Sequence, residues 1–150
     1  MTTSNYQAQE AILARLQSAC AAEDAVGLEH ALNDAYRTGL SEDFAPILTK
    51  LCRANWHTRH EDVVSALQEI GGTSAIEPLE EAAIVDHPYL AYDEHFALAR
   101  KATWALADIG GDEAKAALMR IAASTKATKA AFANKRLRNW ETEFFRKRNR

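Results

Sequence analysis

The stretches EDVVSALQEIGGTSAIEPLEEAA (61–83) and RKATWALADIGGDEAKAALMRIA (100–122) lie 39 residues apart, and eight of their 23 aligned positions are identical. The matches are Ala66 with Ala105, Leu67 with Leu106, Ile70 with Ile109, Gly71 with Gly110, Gly72 with Gly111, Ala75 with Ala114, Leu79 with Leu118 and Ala83 with Ala122. Alanine, leucine and isoleucine at these spacings share one face of a helix, and the first glycine supplies the left-handed conformation that ends it. Thr73 or Asp112 is then placed to cap the helix that follows. The repeating unit is therefore helix, tight glycine turn, helix, and a repeat of this kind buries its apolar face against its neighbours.

Working outward, the clear repeats occupy 60–83 and 99–123 of a single domain spanning 1–150. Residues 5–53 read as degenerate N-terminal helices that include one weaker copy of the unit. DAVGLEHALNDAYRT (24–38) forms a helix stopped by Gly39, and Ser41 caps EDFAPILTKLC, with Phe44, Ile47, Leu48 and Leu51 on one face. Ser4 and Gln7 fit a capping box ahead of Ile12, Leu13 and Leu16. A final amphipathic helix over 126–145 closes the far end. Its apolar stripe is Ala130, Ala133, Leu137, Trp140 and Phe144, with Lys129, Arg136 and Arg138 mainly off it. Trp56 and Trp104 are expected to fill space within or between repeats.

Composition agrees with an all-α chain. Thirty alanines stand against 3 prolines, 6 glycines and only four valines, and no sustained apolar–polar alternation marks a strand, so no sheet is expected. Cys20 and Cys52 sit among apolar residues, which suits buried thiols in a reducing compartment. With no basic segment followed by an apolar core at the start, and no long apolar window, a cytoplasmic location without membrane partners is expected. Residues 1–123 carry 9 Lys+Arg against 19 Asp+Glu, a net of −10, while 124–150 carry 9 against 2, a net of +7.

SALQEIGGTSAIEPLEEA and WALADIGGDEAKAALMRIA resemble the HEAT-like repeats typified by phycobilin lyases, whose pattern runs Ala-Leu-x-x-Ile-Gly, a polar residue, then Ala-x-x-x-Leu. The resemblance covers 60–123 and implies an all-α HEAT-like helical-hairpin repeat solenoid of roughly seven or eight helices. Such an architecture mostly makes curved binding surfaces and only rarely enzymes.

Arg59-His60-Glu61 resembles one of the His-Glu pairs of deoxyhypusine hydroxylase, a HEAT-like diiron enzyme. The equivalent positions of the next repeat are Ala99 and Arg100, and one imidazole with one carboxylate cannot fill an iron coordination sphere. His57, His87 and His95 join it at no regular ligand spacing. Thr58-x-x-Glu61 reads instead as a capping box. No metal or cofactor is expected. Nor does any nucleophile–base constellation or phosphate-binding loop point to an enzyme.

The most unusual segment is IVDHPYLAYDEHF (84–96). Asp86, His87, Tyr89, Tyr92, Asp93 and Glu94 crowd into it, and tyrosines among carboxylates suit a patch that binds a basic protein partner. The same residues also suit a staple, with Tyr89 and Phe96 holding the loop to the helices and the acids capping the next helix. HEDVVSALQEIGG (60–72) with HPYLAYDEHFALARKATWALADIGG (87–111) is similar to the HEAT-like immunity proteins that bacteria encode beside polymorphic toxins. That resemblance implies a binding module whose partner is a cognate toxin domain, blocked at its active site or substrate path. The alternatives are a bilin-lyase-like or metal-dependent enzyme, and a nucleic-acid binder acting through Arg146, Lys147, Arg148 and Arg150. That short basic run carries no recognition motif.

Overall fold

Gly71 (φ 75°) and Gly110 (φ 72°) both lie in the left-handed region where a Cβ is strained, and each donates its N–H back to Leu67 and Leu106 respectively. These two turns set the helix boundaries of the repeats. The computed structural model describes residues 3–142. In it the chain forms α1 (Thr3–Ala22), α2 (Ala25–Thr38), α3 (Ala45–Arg53), α4 (His60–Ile70), α5 (Ile76–Ile84), α6 (Ala97–Ile109), α7 (Gly111–Ala122) and α8 (Ala127–Arg138). Short 3-10 turns precede α3 (Glu42–Phe44) and α5 (Thr73–Ala75), and no strand occurs among the described residues. The protein is all-α.

The repeat overlay matches the packing. Leu67 and Leu106 are wholly buried, as are Leu79 and Leu118, and Ala66, Ala105, Ala75 and Ala114 lie in the same core. Alanine at these points lets helix axes approach where a larger side chain would hold them apart. Helices pack both on chain neighbours and on next-but-one helices: α3 on α5, α4 on α6, α5 on α7 and α6 on α8. Bridges between next-but-one helices accompany this packing. Lys101 pairs with Glu61 at 3.3 Å, and Arg120 holds Glu80 through two bonds of 2.9 and 2.7 Å. At the amino-terminal end, Asp24 caps α2 by accepting from Gly27 N–H at 3.0 Å, and Gly39 (φ 114°) stops it. Ser41 caps the 3-10 turn that leads into α3, whose buried face includes Ile47, Leu48 and Leu51, with Phe44 just ahead of it.

Other caps differ from expectation. Helix α1 already runs from Thr3, so Ser4 and Gln7 lie inside it. Thr73 belongs to the 3-10 turn, which moves the start of α5 to Ile76, and Asp112 falls in the first turn of α7 because that helix begins at Gly111. Thr58 and Glu61 form no capping box. Helix α4 begins at His60 with Arg59 at its cap, so Thr58 stands one residue too far out. The His57 imidazole takes the accepting role, receiving the Arg59 N–H at Nδ1 over 2.9 Å.

Helix α8 also departs from its reading. Ala130 and Ala133 are buried and Leu137 and Trp140 partly so, but Lys129 and Arg136 are buried with them. Trp104 is 39% exposed, lying under the Arg136 guanidinium at 3.5 Å, so it meets a cation rather than apolar core. Phe144 and the basic run from Arg146 to Arg150 lie outside the described residues. Cys20 and Cys52 are free thiols, with Cys52 buried. Among the described residues no helix is long and apolar enough to cross a membrane.

Candidate functional site: the pinned 85–96 loop

The turn between α3 and α4 and the loop between α5 and α6 meet through aromatic rings. His60 is 1% exposed and stacked between His57 and His87, with ring centroids 4.2 and 3.8 Å away. Its Nε2 lies 2.6 Å from the Ala54 carbonyl, which can only accept, so the proton sits on Nε2. Nδ1 is then an acceptor and receives the Tyr89 hydroxyl at 2.6 Å. His57 repeats the pattern, donating from Nε2 to the Leu51 carbonyl at 2.7 Å. Burial lowers all three imidazoles below their ordinary pKa, His60 to about 4, and raises the Tyr89 hydroxyl to about 12. The rings are neutral at pH 7; the nitrogens of His57 and His60 are turned to backbone and Tyr89, whereas His87 Nε2 is buried without a hydrogen-bond partner among the described residues. No three His, Cys, Asp or Glu side chains among the described residues are gathered to hold a metal.

A second clamp holds the start of the loop. Helix α5 ends at Ile84, leaving carbonyls that need donors. Lys129 of α8, 4% exposed, reaches Ile84 O, Val85 O and the Asp86 carboxylate at 3.0, 3.1 and 2.8 Å. Lys126 binds the same Ile84 O at 2.7 Å and Asp86 at 2.6 Å. The hydrogen bonds from Lys126 and Lys129 hold the Asp86 carboxyl down to about 2. A third clamp closes the loop. The Asp93 carboxylate accepts from the N–H groups of His95 and Ala97, 3.0 Å each, and these bonds hold it below the usual carboxylate range. Phe96 adopts φ 51°, ψ 51°, a strained conformation for a bulky residue, and turns its ring towards the Lys129 ammonium at 5.7 Å.

The six residues singled out by sequence thus divide. Asp86, His87, Tyr89 and Asp93 make contacts within the chain, as a staple would require, although the Asp86 side chain stays 65% exposed. Tyr92 is 82% exposed and Glu94 is exposed too. The loop borders a cavity of about 490 Å3 whose walls include Pro88, Leu90, Ala91, Phe96 and Leu98, with Glu94 but not Tyr92 in its lining. Sequence reasoning missed Lys129 of α8, Lys126 just ahead of that helix, and the joining of three histidines. His57 and His60 were marked only by their three-residue spacing at a helix start, His87 stood out only as a candidate partner contact, and nothing in the pattern pointed to Lys126 or Lys129.

No protein-family model, curated protein or solved structure matches the chain.

Proposed function

We propose that the protein is a non-catalytic binding module, an immunity protein that neutralises a toxin domain by seating Tyr92 and Glu94 on it. The observation that carries this reading is Tyr92, 82% exposed on a loop clamped at both ends and in the middle. An exposed tyrosine offers a large contact area, and a loop already ordered before binding loses little entropy on association. The acidic balance of residues 1–123 favours a basic partner by steering its approach. The next-but-one packing of helices supports a HEAT-like arrangement of the helix pairs, a scaffold suited to presenting such a loop.

The test takes as partner the product of the adjacent gene, which on this reading encodes a toxin domain. Tyr92→Ala is expected to raise the dissociation rate of the complex, and Glu94→Lys to slow association and flatten its salt dependence. Asp93 is left unchanged because its carboxylate organises the entry to α6. If both folded variants bind like the parent and still protect cells from the toxin, the partner surface is not this loop.

A further inference from the structure

His57, His60 and His87 form one column of rings, inclined by 18° and 24° between neighbours and 2%, 1% and 8% exposed. Two of its members belong to the α3–α4 turn and the start of α4. His87 belongs to the loop, and so does Tyr89, whose ring stacks on His60 at 5.6 Å. The column therefore joins the loop to the helices, and burial favours its neutral imidazoles. A proton on His57 Nδ1 would face the Arg59 N–H, which can only donate, so that bond must break. A proton on His60 Nδ1 forces the Tyr89 hydroxyl to reverse. His87 Nε2 is buried without a hydrogen-bond partner among the described residues, so a proton there would be buried without an acceptor.

The surrounding charges do not offset this. Helix α8 presents Lys129, which opposes a charge on His87, and Asp86 favours one but is shared by Lys126 and Lys129. Helix α3 and its C-terminal cap contribute the carbonyls of Leu51 and Ala54, both already accepting. Around Tyr89, Glu61 pairs with Lys101, and Asp62 lies 3.7 Å from Arg59. Trp56 meets the outer ring, His57, edge-on at 5.0 Å.

We propose that the histidine column is an acid-operated latch: neutral, it holds residues 87–96 in place, and protonated, it releases them and withdraws the Tyr92 surface. The consequence for a partner rests on the binding reading above, whereas the latch is a property of the chain alone. Its direction follows from linkage. All three imidazoles have lowered pKa in the closed form, so the latch is fully effective above the free value of 6.5 and weakens as pH falls towards about 4, the value of His60. In that window each proton taken up only by the open form favours opening about tenfold per pH unit. The ion pairs of Asp86, held to about 2, survive throughout it.

The experiment is amide hydrogen exchange of the chain alone, from about pH 7.5 down to about pH 4.5, with protection corrected for intrinsic exchange. The loop amides of Leu90, Ala91 and Asp93 are hydrogen-bonded to His87, Pro88 and Leu90 and serve as reporters. Their protection is expected to fall at least about tenfold per pH unit below roughly pH 6.5, while the amides of Leu67 and Leu106 stay protected and Trp56 emission changes in step. His87→Phe keeps a ring in the column and removes one proton, so the loss should become shallower by about tenfold per pH unit. A loop profile independent of pH, or loop and core opening at one midpoint, overturns the latch. If His87→Phe does not fold, a histidine side-chain NMR titration of the parent decides: His60 titrating at its ordinary value overturns it, and a depressed value with an Nε2–H tautomer supports it. No partner enters these measurements. A failed search for one counts against the binding reading alone, and a pH-independent loop in a protein that does bind counts against the latch alone.

Discussion

Replacing Lys129 by methionine isolates the contribution of one ammonium to the fold. The Lys129 side chain is buried, and its Nζ serves two α5-end carbonyls and the Asp86 carboxylate within 3.1 Å. Methionine keeps the apolar stem and removes the donor. In the variant, Ile84 O and Asp86 retain Lys126, while Val85 O loses this donor. A hydrogen bond to a charged group contributes about 1.5–3 kcal/mol, and relief of burying the ammonium offsets part of the additional contacts, so a net loss of about 1.5–3 kcal/mol is expected. For a chain of this size that lowers Tm by roughly 3–12 °C. Lys126 makes comparable contacts but its side chain is 38% exposed, so Lys126→Met should cost no more than about 1 kcal/mol. Lys129→Ala also removes about three buried methylenes, adding roughly 2 kcal/mol. Denaturant melts followed by far-UV circular dichroism measure all three. Lys129→Met as stable as the parent, or Lys126→Met the more damaging, would refute the assignment of Lys129 as the clamp on the loop.

Three further outcomes are expected. Leu67→Ala and Leu106→Ala, at equivalent and wholly buried positions, should each lose about 2–5 kcal/mol, and unchanged melting in both would break the repeat register. At Gly110 (φ 72°, ψ −175°) an added Cβ meets only the Ala107 carbonyl, at 4.0 Å, so Gly110→Ala should cost the strain of a side chain in this essentially glycine-only region, about 1–3 kcal/mol by thermal denaturation; a stabilised variant would contradict the helix-stop role. Glu61→Ala removes only a half-exposed pair with Lys101 and should change stability by less than about 1 kcal/mol. A loss near 2 kcal/mol would restore the capping box that the start of α4 contradicts.

Much of the fold was legible in the residues because its signals are local. Apolar residues three and four apart, as at Val63, Ala66, Leu67 and Ile70, can share a face only on a helix, and a glycine just beyond them ends it through its own backbone freedom. Cap positions were less legible, since the 3-10 turn at Thr73–Ala75 and the helix start at His60 each shift the frame by a residue or more, and a cap works at one position only. The clustering of aromatic and acidic residues at 84–96 was visible too, but not which of them remain outside.

That division is tertiary. His60 meets Tyr89 across 29 residues of chain and Lys129 meets Ile84 across 45, separations at which no periodicity constrains the partner. On its own helix Lys129 reads as a solvated cation. It is buried because α5 ends in carbonyls beside α8 and the interior must satisfy them. His57, His60 and His87 read as scattered imidazoles until the α3–α4 turn and the α5–α6 loop are brought together, and only then does their shared neutrality decide whether the loop is held. Local pattern sets where helices begin and end, while the choice of exposed and engaged side chains depends on desolvation and hydrogen-bond partners, and the packed structure alone supplies those.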